Sequence, residues 1–201
     1  MSESNTIEFE DPPLSPRVLA AMRDVPRADF LPQDVRHLAD HDGPLPIGEG
    51  QTNSQPYTVA IMLTLLDVQP GMRVLDVGAG SGWTTAILAN LVGTEGRVIG
   101  MERRTGLIEP ARRALARHAT GTARIERAVP GALGLPHEAP FDRILVSAMA
   151  SHLPTELVSQ LAEGGIMVIP VATTMKRVRR RNDTFDVTNH GQFLFVPLVE
   201  D

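Results

Sequence analysis

The sequence predicts a doubly wound α/β fold with a mostly parallel sheet, an antiparallel C-terminal edge and an N-terminal helical extension. Short apolar runs alternate with helical patterns through the middle of the chain, and this order predicts parallel strands joined by right-handed crossovers. The runs lie at 74–77, 97–101, 124–128, 141–147 and 166–170. Residues 175–181, the turn Asn182-Asp183 and residues 191–199 then look like strands without intervening helices, which is typical of an antiparallel edge.

Helical periodicity accounts for most of the remaining chain, apart from one long loop. The helical patterns begin at Ser15 and at Trp83, and cover 34–39, 57–66, 105–118 and 154–162. The loop at 41–56 is rich in Pro, Gly and small polar residues. Because long loops inside compact domains are usually functional, we expect this one to belong to an active site.

The 201 residues are enough for one domain with a sizeable core. We expect residues 1–13 to be a flexible arm, residues 14–70 to carry the N-terminal helices and the loop, and residues 71–201 to form the core of the domain. No internal repeat interrupts this order.

Composition narrows the possible partners and the cellular setting. A net charge of −5 argues against nucleic acid or an anionic membrane as the main partner. The chain has no cysteine, which excludes disulfides, thiol chemistry and Cys-ligated metals, and its histidines lack metal-ligand spacing. No apolar run approaches membrane length, so we expect a soluble cytoplasmic monomer without a bound metal.

A glycine turn follows the first apolar run and carries the main functional signal. Gly78, Gly80 and Gly82 alternate along this turn, and Asp76 stands two residues before it. A dinucleotide-binding fingerprint requires a small residue at the position of Trp83, because helix and strand must pack closely there. The pattern is instead similar to motif I of the S-adenosylmethionine-dependent methyltransferases, and Trp83 either walls the cofactor pocket or packs in the core.

Glu102 is the second acidic residue with suggestive spacing. It lies 20 residues beyond Gly82, directly after the apolar run 97–101. An acid at the tip of the second strand can accept hydrogen bonds from ribose hydroxyls. Together with Asp76 it favours a nucleoside-type cofactor, and the alternative is a structural turn with two exposed acids.

Several further segments, spread over roughly residues 15–198, extend the functional signal. The most specific of them is the loop Gly48-Glu49-Gly50-Gln51-Thr52-Asn53-Ser54-Gln55-Pro56-Tyr57. The others are Val25-Pro26-Arg27, Phe30-Leu31-Pro32, and the stretches at 139–144, 160–165, 168–170 and 195–198. In this order, the segments resemble the protein-L-isoaspartate O-methyltransferases. The resemblance implies a Rossmann-like, seven-stranded methyltransferase sheet and S-adenosyl-L-methionine as cofactor. It also implies methylation of isoaspartyl residues in damaged proteins or peptides, which is a repair reaction.

The resemblance also assigns roles by position. Ser54 matches the active-site serine and is the expected catalytic and substrate-contacting residue, and the strand end Val196, Pro197 and Leu198 matches a substrate contact. The expected cofactor-binding residues are Gln51, Thr52, Asn53, Ser54, Asp76, Gly78, Ala79, Gly80, Ser81, Gly82, Met101, Glu102 and Gly131. From the residues alone, the favoured interpretation of Ser54 is a turn serine that caps the helix beginning near Tyr57, and the loop resemblance is what favours the functional role.

The chain departs from the family pattern at three places. Val129-Pro130-Gly131 stands where the family has Gly-Asp-Gly, whose acid reaches the adenine amino group. Asn53 replaces an apolar residue, and its amide could take over the polar role of the acid that is missing at Pro130. Val199 replaces a common Thr. Two alternatives therefore stay open: a carboxyl methyltransferase dedicated to one peptide partner, and a non-catalytic relative that binds the cofactor.

Overall fold

The structure is a computed structural model that describes residues 12–119, 121–182 and 184–199. Residues 1–11 of the expected flexible arm lie outside these described residues. The α-helices, in chain order, are α1 (Pro16–Asp24), α2 (Pro56–Leu66), α3 (Trp83–Val92), α4 (Thr105–Leu115) and α5 (Thr155–Ser159). Short 3₁₀ turns occupy Arg27–Phe30, Arg36–Leu38 and Pro136–Glu138. No helix in the described part of the chain is both long and apolar enough to cross a membrane.

The strands form one large sheet and one small hairpin. In chain order they are β1 (Leu45–Gly48), β2 (Gln51–Asn53), β3 (Arg73–Val77), β4 (Arg97–Glu102), β5 (Ala123–Arg127), β6 (Phe141–Val146), β7 (Leu161–Val171), β8 (Thr174–Arg181) and β9 (Thr184–Gln192). The large sheet has seven strands in the order β5-β4-β3-β6-β7-β8-β9, and β1 pairs with β2 separately. Pairing is parallel from β5 to β7 and antiparallel from β7 to β9. The predicted doubly wound, mostly parallel sheet with an antiparallel C-terminal edge is therefore confirmed.

The central strands are apolar on both sides because both faces of the sheet are covered. On β3, Val74 packs into the core cluster that contains α2 and α3, whereas Leu75 and Val77 pack into the cluster that contains α5. The strand order reverses between β3 and β6. Ligand sites in open α/β sheets lie at the carboxyl ends of the strands beside such a reversal. A ligand site is therefore expected at the carboxyl ends of β3 and β6.

The loop at 41–56 is more ordered than its composition predicted. It contains the β1–β2 hairpin, in which Leu45 pairs with Asn53. Leu45 and Ile47 are buried against Leu107 of α4 and Leu31 in a small apolar cluster of their own. The alternation of buried and exposed residues along β1 explains why this short segment adopts an extended conformation.

Several predicted elements are wrong in their bounds. The helix expected at 34–39 is only a 3₁₀ turn at Arg36–Leu38. The helix expected at 154–162 is α5, which stops at Ser159, because the Phe141 N–H bonds the Gln160 carbonyl and Leu161 already pairs with β6.

The strand expected at 166–170 is longer and spans Leu161–Val171, and the helix expected at 105–118 ends at Leu115. The largest error concerns the last strand. It was expected at 191–199, but β9 begins at Thr184 and ends at Gln192. Its residues are mostly polar and exposed on both faces, so they lack the apolar signal by which the other strands are recognised. Beyond it, Pro197 makes only an isolated bridge to Met149.

Candidate active site

The glycine turn joins β3 to α3 at the edge where the strand order reverses. Gly78, Gly80 and Gly82 all have positive φ, at 85°, 55° and 85°, which side chains rarely adopt. The N–H groups of Gly78 and Ala79 both donate to the Met101 carbonyl, at 2.9 and 3.0 Å. The turn is thereby fixed to the end of β4, where Glu102 stands.

Glu102 closes over the turn with its carboxylate. Its Oε2 accepts the Gly80 N–H at 2.8 Å, and its Oε1 accepts the Arg104 N–H at 2.7 Å. The residue is only 5% exposed, yet it lines the cavity described below. Each carboxylate oxygen has about two acceptor positions, so each retains one for a donor on a ligand.

Asp76 lies beneath the turn and has no exposed surface. Its Oδ2 accepts hydrogen bonds from the hydroxyls of Thr84 and Thr85, at 2.8 and 2.7 Å, while its Oδ1 is buried without a partner among the described residues. Burial raises the pKa of Asp76 to about 6, the two threonine hydrogen bonds oppose this shift, and the charge of Glu102 adds to it. Asp76 is therefore bound to the first turn of α3 and does not line the cavity.

A first cavity of about 330 Å³ opens at this edge. Ten of the residues expected at the site line it: Gln51, Thr52, Gly78, Gly80, Met101, Glu102, Gly131, Val196, Pro197 and Leu198. Asn53, Asp76, Ala79, Ser81 and Gly82 lie outside its lining. The cavity is bounded by the hairpin, the glycine turn, the end of β4 and the C-terminal segment, as a nucleoside-type ligand would require.

A second cavity of about 750 Å³ adjoins the first. Thr52, Ser147 and Val196 line both cavities, so the two spaces meet at these three residues. The other residues that line the second cavity are Pro44, Ser54, Gln55, Thr58, Thr173, Gln192, Phe193, Leu194 and Phe195. None of these described lining residues carries a charge at neutral pH, and hydroxyl groups are prominent among them.

Ser54 lies in the second cavity and does not cap α2. The described residues offer its hydroxyl no hydrogen-bond partner, and its backbone carbonyl accepts from Arg27. Asp42 caps the helix instead, because its Oδ1 accepts the Tyr57 N–H at 2.9 Å and its Oδ2 accepts from the Gln55 side chain. These hydrogen bonds hold the pKa of Asp42 below its usual value. The Ser54 hydroxyl is left available to a ligand.

Arg27 organises the whole loop from beneath, a role that nothing in the sequence indicated beyond the Val25-Pro26-Arg27 match. The residue is 5% exposed, and burial lowers the pKa of its guanidinium. The hydrogen bonds run from Nε to Asn53 Oδ1 (2.7 Å), from Nη1 to the carbonyls of Ala39 (3.4 Å) and His41 (2.9 Å), and from Nη2 to those of Gly43 (2.8 Å), Asn53 (3.2 Å) and Ser54 (3.0 Å). The guanidinium also lies over Trp83, whose buried ring donates to the Val25 carbonyl, so Trp83 is a packing residue.

Asn53 does not compensate for the missing acid at Pro130. Its amide oxygen accepts from Arg27, and its amide nitrogen donates to the Ser81 hydroxyl at 3.0 Å. Asn53 is buried and lies outside the lining of the first cavity, so its amide does not reach a ligand there, and it instead ties the hairpin to the glycine turn. Pro130 does line the first cavity, without a polar side chain.

Ser147 is the site residue that the sequence reasoning missed. It is the first residue after β6, at the carboxyl end of a central strand, and this position was the available signal. A Cβ placed on Gly78 would lie 3.6 Å from the Ser147 carbonyl carbon, so the two residues face each other across the strand reversal.

The described residues contain no group of three or more His, Asp or Glu side chains that could hold a metal ion. The arrangement thus consists of a glycine cradle, one carboxylate with spare acceptor positions, and an uncharged hydroxyl-rich cavity beside it. It can bind a nucleoside-type ligand and place a second molecule against it.

Comparison with known proteins identifies a family whose members are methyltransferases. The family described as "Protein-L-isoaspartate(D-aspartate) O-methyltransferase (PCMT)" matches residues 10–201. A protein-L-isoaspartate O-methyltransferase of Methanopyrus kandleri is 46% identical over 92% of this chain and 84% of its own. One from Aeropyrum pernix is 47% identical over 92% of this chain and 73% of its own.

A solved structure agrees in fold over nearly the whole length. It is a crystal structure described as a protein-L-isoaspartate O-methyltransferase from Plasmodium falciparum in complex with S-adenosyl-L-homocysteine. It superposes with a TM-score of 0.81 and 27% identity, over 93% of this chain and 92% of that one. With a family match over almost all residues and relatives above 40% identity, the chain belongs to the protein-L-isoaspartate(D-aspartate) O-methyltransferase family.

Proposed function

We propose that this protein transfers the methyl group of S-adenosyl-L-methionine to the α-carboxylate of L-isoaspartyl residues in damaged proteins or peptides. The observation that carries the proposal is the pair of adjoining cavities that share Thr52, Ser147 and Val196. A methyltransferase must hold donor and acceptor in separate spaces that meet where the methyl group passes. Family membership supplies the identity of both ligands.

The first cavity fits the cofactor. We assign the ribose hydroxyls to Glu102, whose two oxygens each retain an acceptor position after binding Gly80 and Arg104. The residues proposed to touch the cofactor also include Gln51, Thr52, Gly78, Gly80, Met101 and Gly131, all of which line the cavity. The residues outside the lining act through others: Asn53 ties the hairpin to Ser81, while Asp76, Ala79 and Gly82 shape the turn.

The second cavity fits the acceptor. An isoaspartyl carboxylate has an ordinary pKa near 4 and is ionised at neutral pH, so the reaction needs no general base. The cofactor supplies an already activated methyl group. What the chain contributes is alignment and exclusion of water, and positioning of this kind is worth roughly 7–11 kcal/mol of a barrier. We assign orientation of the carboxylate to the free Ser54 hydroxyl, and the boundary between the two ligands to Val196, which lines both cavities. Pro197 and Leu198 were expected to contact substrate, but they line only the first cavity.

The products follow from the bonds involved. One carboxylate oxygen forms a bond to the methyl carbon, and the electron pair of the broken carbon–sulfur bond returns to sulfur. S-adenosylhomocysteine and a methyl ester result, with no proton transferred. The ester then closes to a succinimide without help from the enzyme, and partial return to aspartate follows.

The test is a transfer assay with methyl-labelled cofactor on two peptides that differ only in one isoaspartyl or aspartyl residue. Label should enter the isoaspartyl peptide alone, and Glu102→Ala should reduce its incorporation at limiting cofactor. Label on neither peptide but on a small alcohol, an amine or a nucleic acid would contradict the proposal. Equal label on both peptides would favour an aspartyl carboxyl methyltransferase instead.

We also propose that residues 1–201 act as one methyltransferase domain, as a monomer in the cytoplasm, without a nucleic acid or membrane partner. The net charge of −5 and the lack of cysteine support this setting. Light scattering coupled to size-exclusion chromatography should give the mass of one chain, 21.8 kDa. A dimer mass would contradict the monomer.

A further inference from the structure

Ser147 lies at the junction of the two cavities, where the proposed function requires the methyl group to pass. It lines both cavities, and only Thr52 and Val196 share that property among the described lining residues. Its backbone N–H is used by the sheet, since it donates to the Val77 carbonyl at 2.8 Å. The main chain of Ser147 is therefore held rigidly at the end of β6 beside Gly78.

The side chain of Ser147, by contrast, is unsatisfied. Its hydroxyl oxygen is buried and has no hydrogen-bond partner among the described residues, whereas the residue as a whole is only half-buried. Buried hydroxyls are normally paired, because leaving one unpaired carries a desolvation cost. Rotation about the Cα–Cβ bond gives a serine hydroxyl three staggered positions, and we assign the ligand-bound state to a position that faces the cavity junction.

We propose that the Ser147 hydroxyl binds the acceptor carboxylate, as a second hydroxyl donor beside Ser54. This rests on the proposed function. The two ligands that meet at the junction differ in what they can accept: a sulfonium is a cation and accepts no hydrogen bond, whereas a carboxylate is an acceptor only. Of the three described residues at the junction, Ser147 alone has a hydroxyl that is buried and unpaired.

Two donors hold a carboxylate better than one. A single hydrogen bond from Ser54 leaves the carboxylate free to rotate about that bond, whereas a second donor at the junction fixes which oxygen faces the methyl carbon. In the reaction that oxygen gains the methyl group and loses its charge, so a hydroxyl donor binds the ground state at least as strongly as the transition state. The contribution of Ser147 is therefore expected mainly in the KM for the peptide.

The test compares Ser147→Ala with wild type on an isoaspartyl peptide. Its kcat/KM should fall about 10- to 150-fold, the range for one hydrogen bond to a charged group. Affinity for S-adenosylhomocysteine, measured by calorimetry, should stay within about twofold on the same principle, because the substitution removes no group that binds the cofactor. The melting temperature of the free protein should not fall, since the hydroxyl has no partner to lose. Ser147→Thr keeps the hydroxyl and should recover most of the activity.

Ser159→Ala is the matched control, because its exposed hydroxyl donates only to the Glu156 carbonyl and the residue lines neither cavity. If Ser147→Ala does not fold, Ser147→Cys, a poor donor of similar shape, takes its place. Unchanged kcat/KM in the variant, an equal loss in Ser147→Thr, or a matching loss of S-adenosylhomocysteine affinity would each overturn the inference. A wild-type enzyme that methylates no isoaspartyl peptide would instead contradict the proposed function itself.

Discussion

Replacing Arg27 by lysine should loosen the active-site loop while keeping its positive charge. The guanidinium makes six hydrogen bonds to Ala39, His41, Gly43, Asn53 and Ser54, which lie on both sides of the β1–β2 hairpin. Arginine has five donors spread over a planar fork, whereas lysine has three on one nitrogen. The lysine variant can therefore keep at most three of the six hydrogen bonds.

The size of the effect follows from that count. An acceptor left unpaired costs about 1–3 kcal/mol, and carbonyls near the surface regain water, so the low end applies. Three missing hydrogen bonds then give about 3 kcal/mol of destabilisation on that scale. For a chain of this size, each kcal/mol lowers the melting temperature by about 2–4 °C, so the expected shift is roughly 6–12 °C.

The assay is thermal unfolding of Arg27→Lys together with amide hydrogen exchange over residues 45–54. Faster exchange in the hairpin and a raised KM for the peptide should accompany the lower melting temperature. Arg23→Lys is the matched control, because Arg23 lies exposed on the same N-terminal segment. A melting temperature within about 2 °C of wild type, less than 1 kcal/mol on this scale, with an equally protected hairpin, would show that the fork is not what holds the loop.

Three further predictions concern the carboxylates and the serine. Glu102→Gln should weaken S-adenosylhomocysteine binding about 10- to 150-fold in calorimetry, because the charged acceptor is removed, and unchanged affinity would refute the ribose assignment. Asp76 has a folded pKa of about 6 against an ordinary 3.8, so its ionisation costs stability, and this cost disappears as pH falls from about 6 to about 4. Asp76→Asn should therefore gain about 3 kcal/mol over wild type between pH 4 and pH 7 in denaturant titrations, and a constant difference would contradict this. Ser54→Ala should lower kcat/KM for the peptide far more than cofactor affinity, and an unchanged kcat/KM would reduce Ser54 to a turn residue.

The local sequence pattern was sufficient to predict the central strand β3 and the glycine turn that follows it. Val74, Leu75 and Val77 read as a strand because both faces of the sheet are buried, and the glycines that follow admit the positive φ of the turn. Glu102 was placed correctly for a related reason, since a residue just after a buried parallel strand must lie at the ligand edge.

Pairings between distant segments could not be predicted from the sequence. Arg27 reaches Asn53 across 26 positions, and Asp42 caps α2 from 15 positions before Tyr57. Neither pairing has a periodicity or a motif that could reveal it. The error over Asn53 has the same origin, because the sequence cannot show whether an amide is exposed or is hydrogen-bonded to distant residues such as Arg27 and Ser81.

Ser147 and β9 could not be recognised in the sequence, because neither carries a motif or an apolar pattern. Ser147 belongs to no motif and is distinguished only by an unpaired hydroxyl at a junction of cavities, which exists only in three dimensions. Strand β9 is set by pairing with β8 after the turn at Asn182, while its polar, exposed side chains give no strand signal.

The central claim is methyl transfer to an isoaspartyl carboxylate, and mass spectrometry of the peptide product tests it most directly. An isoaspartyl peptide incubated with enzyme and S-adenosylmethionine should gain the mass of one methyl group, located at the isoaspartyl residue. It should then pass to succinimide and to a mixture containing the aspartyl peptide, while the matched aspartyl peptide stays unmodified. An isoaspartyl peptide that gains no methyl group under conditions where the enzyme binds the cofactor would contradict the account.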